Sequence, residues 1–459
     1  MKIKVDFDKV VGVMKPMHGV GQPPMFQLNG SMLHYLTEAG IPYSRLHDVQ
    51  GVMGANLYVD IPNLFRDFDA DENDPASYDF AFTDSFLSQL IEHKVEPFYR
   101  LGVTIENYRQ VKSYRIFPPK DFAKWARICE HVIRHYNEGW ADGFHHNIQY
   151  WEIWNEPDGN YFGTWNPGSA MWKGTPQQFF EFYEIAAKHL KKCFGDSIKV
   201  GGYASNGFRE YETYDPDCDY SKITSDNRIC GFHRFAHEFL AYAREHNAPL
   251  EFFSWHSYAS VQETLKSALY CRRLLEKYGY ADVPDFLNEW NTCHDAKGRA
   301  TDYAAAQVFG MMLTMQTKAK TWMLNYYDAR CAASQYAGMF NPETHEPFLA
   351  YFPFKLFNDA YVLKNQVEAV ALAEPDVEAD ANAADSIVAC AAANGGKKVL
   401  LVANMGEFPV ETAFDICGAN TEDAEVIMTN CEYRNTITGK HIENGKLEIP
   451  QYTCLELRF

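Results

Sequence analysis

Short apolar runs alternate with amphipathic stretches over about the first 360 residues. Runs at 10–14, 43–49, 96–102, 150–154, 199–203, 252–258, 284–289 and 321–327 predict strands, eight in all. Strands separated by helical patterns call for a parallel sheet with crossover helices. Eight such units match a (β/α)8 TIM barrel better than a doubly wound open sheet. The helix between the fourth and fifth strands is readable end to end. Thr175-Pro176 supplies an N-cap and a first-turn proline. Phe179, Phe182, Tyr183, Ala186, Ala187 and Leu190 then keep a three-to-four spacing, and Gly195 closes the helix.

Near Tyr361 the texture changes to short, Val- and Ala-rich runs. Runs at 386–393 and 397–404 flank Asn394-Gly395-Gly396, a hairpin signal. The expected organisation is a catalytic barrel over 9–360 and a C-terminal β-sandwich over 361–459. Residues 1–8 are expected to form a strand belonging to the sandwich. Two long connections, 158–174 and 205–230, leave the C-terminal ends of the fourth and fifth strands. Barrel enzymes build their sites on that face.

Two segments carry chemistry. Trp154-Asn155-Glu156-Pro157 ends the fourth strand, and Asn288-Glu289-Trp290-Asn291 ends the seventh. An isolated Asn-Glu pair carries almost no information. Asn-Glu-Pro after an aromatic strand, matched by Asn-Glu-Trp three strands on, is far rarer. Glutamates on these strands face each other across a closed barrel. Glycosidic cleavage needs two such carboxyl groups, one protonated and one ionised, and retaining enzymes hold them about 5–5.5 Å apart. Glu152, deeper on the same face by alternation, is expected to serve a structural ion pair.

With these segments, Trp255-His256-Ser257-Tyr258 and the stretch 338–358, most of the barrel resembles clan A glycoside hydrolases, specifically family 39, the β-xylosidases and α-L-iduronidases. The resemblance implies net retention and no cofactor. It also implies Glu156 as acid/base beside Asn155, which meets the sugar 2-hydroxyl, and Glu289 as nucleophile. One departure bears on the sugar: Asn288 stands where the family usually has Thr. Glu289-Trp290-Asn291 is also similar to family 51 arabinofuranosidases.

Supporting residues follow from alternation. Arg45 and His47 share a face of the second strand, so Arg45 can bond Glu289 and keep it ionised, and His47 can meet a hydroxyl. His256 and Tyr258 share a face of the sixth strand, with Tyr258 beside Glu289. His18 is expected in a loop at the mouth. Trp322 and Tyr326 are expected to stack on sugars, as are Trp165 and Trp172, although each also suits packing. Gly19-Val20-Gly21 lacks the third glycine of a dinucleotide fingerprint. His145-His146 lacks metal-ligand spacing, so neither cofactor nor metal is expected.

Charge narrows the partners. With 61 acidic and 42 basic residues the net charge is −19, which disfavours nucleic acid and anionic membranes. Aromatics reach 15%, suited to sugar faces as well as to cores. The 11 cysteines form no CxxC pair, and no signal-peptide pattern opens the chain. Free thiols in a reducing cytoplasm are expected. The composite expectation is an exo-acting, retaining, β-xylosidase-like enzyme on small glycosides or oligosaccharides, with a homo-oligomer left open. The alternatives are an arabinosidase, galactosidase, glucosidase or iduronidase-like activity, or a carbohydrate-binding barrel without catalysis.

Overall fold

The computed structural model describes residues 1–24, 32–49, 59–104, 116–160, 171–208, 215–219, 225–292, 298, 300–331, 336, 338–373 and 386–459. Trp165 and the tips of both long connections lie outside these residues. Among the described residues eight parallel strands close a barrel: β2 (Gly19–Gly21), β3 (Tyr43–Leu46), β4 (Glu96–Leu101), β5 (Tyr150–Ile153), β6 (Lys199–Ser205), β7 (Phe253–Ser257), β8 (Asp285–Trp290) and β9 (Met323–Tyr326). Helices α1 (His34–Glu38) to α8 (Asp302–Lys318) fall between them. They include α4 (Phe122–Glu138), α5 (Pro176–Phe194), α6 (Asn227–Glu245) and α7 (Val261–Lys277).

Helix α5 starts as its sequence requires. Thr175 Oγ1 accepts from Gln178 N, and Gln178 returns a bond to Thr175 N, a reciprocal capping box. Inside the barrel, Phe98, Phe252, Phe286 and Met323 form an apolar plug against Tyr43 and Tyr150. Above the plug the interior turns polar, and the site is built there.

One strand assignment is corrected. The run 10–14 is not a barrel strand: Lys2–Val13 is a single strand, β1, in a second sheet. Its valines gave the signal, yet Val10, Val11 and Val13 are half exposed, which a strand of a closed barrel does not allow. The first barrel strand is the three-residue Gly19–Gly21, too short to announce itself by periodicity.

The second sheet runs β15-β14-β17-β12-β11-β10-β1-β13-β16. Its members after β1 are β10 (Asn365–Leu372), β11 (Ile387–Asn394), β12 (Lys397–Asn404), β13 (Val410–Cys417), β14 (Glu425–Thr429), β15 (Thr436–Ile437), β16 (Lys446–Ile449) and β17 (Thr453–Arg458). All pairs are antiparallel except β1 with β13. It forms the appended β-domain that the sequence predicts, as one continuous sheet curled around its own apolar core. Gly395 and Gly396, both at positive φ, make the two-residue turn between β11 and β12. The other face packs on α8 and α9 (Phe352–Tyr361). The approach is close: a Cβ on Gly310 of α8 would lie 2.0 Å from Met405 Sδ.

Lys15 ties β1 to the barrel. Buried at the C-terminal end of α8, its Nζ donates to the carbonyls of Met315 (2.9 Å), Ala319 (2.9 Å) and Thr321 (3.0 Å). The first two are orphan acceptors at the end of α8, where a cation also suits the dipole. Burial lowers its pKa to about 8. Lys15→Met keeps the apolar stem and strands the carbonyls. It should cost about 2–4 kcal/mol in urea unfolding. A loss below about 0.5 kcal/mol would mean that water replaces the ammonium.

Candidate active site

The site is organised by Arg45, fully buried on β3. Its Nε donates to Glu152 Oε2 (2.8 Å), one terminal nitrogen to Glu289 Oε2 (3.0 Å) and the other to Asn155 Oδ1 (2.6 Å). Burial works against the guanidinium charge, but Glu152 and Glu289 outweigh it and hold its pKa above the ordinary value. Asn288 Nδ2 donates to the second oxygen of Glu152 (2.5 Å). Glu152 is thus a structural anchor beneath the mouth.

Local backbone irregularities aim the two mouth glutamates. On β5, Trp151 and Ile153 point outward and Glu152 inward. Trp154 (φ +72°) and Glu156 (φ +46°) then break the alternation, and Glu156 N donates to Ala204 O (2.9 Å). Non-glycine residues at positive φ cost energy and cluster at functional sites. On β8 the register against both neighbours slips by one residue around Asn288 and Glu289. This bulge lets the two adjacent side chains both reach interior partners, which strict alternation forbids.

Glu156 and Glu289 have unlike surroundings. Glu289 receives Arg45 on one oxygen and Tyr258 Oη on the other, through a very short contact. Glu156 receives His256 Nδ1 at 2.7 Å on Oε1. Burial raises the Glu156 pKa to about 7, against the pull of Arg45. Burial lowers that of His256 to about 4, so the imidazole is neutral near pH 7. A carboxyl oxygen of Glu156, one of Glu289 and a ring nitrogen of His256 lie within 4.8 Å of one another. Proximity alone would let these three hold a cation, but the guanidinium bonded to Glu289 is fully buried, so solvent does not screen its opposition to a second positive charge there.

The remaining predicted residues divide. Asn155 is buried, with Oδ1 fixed by Arg45 and Nδ2 left unbonded among the described residues. His47, just past β3, lies 3.4 Å from Asp48, and its Nδ1 is unbonded. Burial, then Arg100 and Arg45, push its pKa well down. His256 and Tyr258 are both at the mouth. Three expectations are corrected. His18 precedes the first barrel strand and lies under α9, bonded to Gly40 O (3.1 Å) and packed on Phe357 and Tyr361. Trp322 donates its backbone N–H to Asp285, the first residue of β8, so it stands at the opposite end of the barrel. Tyr326 faces outward, packed between Trp290 and Phe354. Its neighbour Tyr327 reaches the mouth instead, donating to Asp48 Oδ2 (3.2 Å) with its ring edge-on to Tyr258. Trp172 is likewise core, packed on Trp154 and Phe179.

The structure adds residues the sequence reading missed. Asp158, two after Glu156, is buried and accepts from Ser205 Oγ (2.7 Å) and Asn206, joining the loops after β5 and β6. Burial raises its pKa to about 7. Tyr336 stacks on Tyr258 at 4.5 Å. Gln22, at the C-terminal end of β2, is fully buried, and neither amide atom is bonded among the described residues. A cavity of about 500 Å³ leads outward from His256 and Tyr258 past Asn206, Phe208 and Phe232.

Fold and site thus define a (β/α)8 barrel with a pair of carboxyl groups, differently held, at its C-terminal mouth. The chain belongs to glycosyl hydrolases family 39, whose family model matches residues 2–322. It is similar to a β-xylosidase of Geobacillus stearothermophilus, 24% identical over 234 residues, covering 49% of this chain and 39% of that protein. It is also similar to a β-xylosidase of Caldicellulosiruptor saccharolyticus, 28% identical over 176 residues, covering 37% and 31%. The chain therefore spans about a third to two-fifths of the curated relatives it matches. Among solved structures, a glucosidase from Croceicoccus marinus superposes with a TM-score of 0.73 at 18% identity, covering 100% of this chain and 98% of that one. A monomeric β-xylosidase from Caulobacter crescentus CB15 gives 0.67 at 14%, covering 99% and 98%. At these identities the likeness speaks for the fold.

Arg45→Met leaves Glu152 buried without its cation. It should destabilise the protein by about 3–5 kcal/mol in denaturant unfolding. Adding Glu152→Met should recover most of that stability without restoring turnover, because Glu289 still lacks its donor. Recovery of both together would reduce Arg45 to a structural residue.

Proposed function

We propose that the protein is a retaining glycoside hydrolase working by double displacement, with a β-xyloside-type substrate cleaved from the chain end. The observation that supports this most is the unlike pair Glu156 and Glu289, with carboxyl oxygens within 4.8 Å, a spacing that suits a retaining enzyme. Glu289, held by Arg45 and Tyr258, attacks the anomeric carbon. Glu156, protonated up to about pH 7, gives its proton to the leaving oxygen. Glu156 then takes a proton from the water that releases the sugar from Glu289. Asn155, with its amide N–H unspent, meets the 2-hydroxyl. His47 and Gln22 offer further polar atoms to the ring.

The family and the two similar β-xylosidases support a xyloside over other sugars. A uronide would need a cation for its carboxylate. Arg330, the sequence's candidate for that task, already donates to Asp328 Oδ2 at 3.0 and 3.2 Å, which favours a neutral sugar. The described cysteines carry no disulfide, which supports a reducing compartment such as the cytoplasm. No described helix is long and apolar enough to cross a membrane.

A panel of nitrophenyl glycosides tests the sugar, with the β-xyloside expected to turn over fastest. Glu289→Ala should abolish turnover; near-wild-type rates would remove it as nucleophile. Glu156→Ala should lower kcat/KM by about 10²–10⁴-fold on poor leaving groups, and much less on activated ones. Added azide should then yield a β-glycosyl azide.

The acid role also fixes the sign of the pH profile. Because the pKa of Glu156 is raised, the proton is present below about pH 7 and lost above it. The kcat/KM of the wild type should therefore fall on an alkaline limb near pH 7. A limb that survives unchanged in Glu156→Ala would belong to another group.

A further inference from the structure

We propose that Glu130, His189 and Cys193 form a Zn²⁺ site on the outer wall of the barrel, stapling α4 to α5. His189 and Cys193 are four residues apart on α5 and so share one face of it. Glu130 comes from α4, which packs alongside. Glu130 Oε2 lies 2.6 Å from His189 Nε2, and Cys193 Sγ lies 3.7 Å from the same nitrogen. All three donor atoms fall within 4.8 Å of one another.

The chemistry of that convergence favours a soft divalent ion. Without an ion, His189 Nε2 and the Cys193 thiol both converge on Glu130, which accepts from each. An oxygen, a nitrogen and a sulfur donor thus face one point, and a Zn²⁺ ion can bind all three together. Zn–N near 2.0–2.1 Å and Zn–S near 2.3 Å at a tetrahedral angle imply an N···S separation of about 3.5 Å, close to that observed. The O···N pair would have to open by about 0.7 Å to reach tetrahedral spacing. Thiolate with imidazole selects zinc over magnesium or calcium.

The second oxygen of Glu130 accepts from Arg134 Nε at 2.8 Å, which turns the first oxygen toward the other two donors. Outer partners of this kind orient metal ligands. The three residues are partly exposed, which gives the ion a path in and leaves room for a water as fourth ligand. Binding forms a Zn–S bond and releases the thiol proton to solvent. The imidazole keeps its proton on Nδ1. Nothing is oxidised or reduced.

The site lies beside the catalytic strand, since α4 precedes β5 and α5 follows it, but it is near the C-terminal end of α5, away from the mouth. Its role is therefore stability. The full chain, stripped with chelator, is titrated with Zn²⁺ and separately with Co²⁺. One ion per chain is expected, with a melting temperature raised by about 2–4 °C at saturation and kcat unchanged. Co²⁺ should show a thiolate-to-metal charge-transfer band. Cys193→Ser, nearly isosteric, should lose the band and the stabilisation, and His189→Gln the stabilisation. Wild-type protein that takes up no ion overturns the proposal. So does a band or stabilisation that persists in Cys193→Ser. Inhibition by Zn²⁺ with no effect of Cys193→Ser would place the ion at Glu156, His256 and Glu289 instead, and equally overturns it.

Discussion

The guanidinium of Arg45 is the constraint on which the site depends. It is buried in the barrel and bonded to Glu152, Glu289 and Asn155 at once. Removing such a charge from water is expensive, and the arrangement holds only because each partner is itself fixed. Glu152 is fixed by Asn288, and Glu289 by Tyr258. Asn155 is positioned by the turn at Trp154. The planar fork sets the relative positions of three residues from two strands on opposite sides of the barrel. A lysine, with a single point of charge, would not hold this geometry.

The same cation makes two chemically similar side chains unlike. It donates to Glu289 and makes no hydrogen bond to Glu156. Glu156 is left with burial as its dominant influence and a neutral imidazole as its partner. The proposed mechanism requires a proton donor and a nucleophile within a few ångströms of each other, and the difference between the two glutamates comes from which one the guanidinium bonds. The strained φ of Trp154 and Glu156 and the bulge at Asn288 and Glu289 are the backbone's share. Without the bulge, either Asn288 or Glu289 would face the helices, and the chain Arg45–Glu152–Asn288 or the contact Arg45–Glu289 would be lost.

How much of this the sequence displays depends on the physical origin of each signal. Strands β3 to β9 are long enough for apolar periodicity to reveal them. The caps of α5 and the Gly395-Gly396 turn are local chemistry, legible residue by residue. The proposed catalytic pair stands out in the sequence because both glutamates end aromatic strands. Strand β2 is three residues long and has no period to detect, while the valines of β1 satisfy a pattern that belongs to another sheet. His18, Trp322 and Tyr326 fail for a related reason: residue type suggests a sugar contact, but position along the strand decides which end of the barrel it reaches. Trp322 lies at the wrong end, and Tyr326 is one residue from Tyr327, which points in. The bulge on β8 depends on neighbouring strands and leaves no mark in its own sequence.

The unspent hydrogen-bonding groups bear on the substrate proposed for the mouth. Buried polar atoms without partners are costly in a finished core. Among the described residues Asn155 Nδ2, His47 Nδ1 and both amide atoms of Gln22 are in that condition, while Arg45 is paired with Glu152 and Glu289, and Arg330 with Asp328. A ligand with several neutral groups able both to donate and to accept would suit such a pocket, and a sugar's hydroxyls are groups of that kind. That supports the neutral glycoside proposed above, with Arg45 occupied in holding Glu152, Glu289 and Asn155.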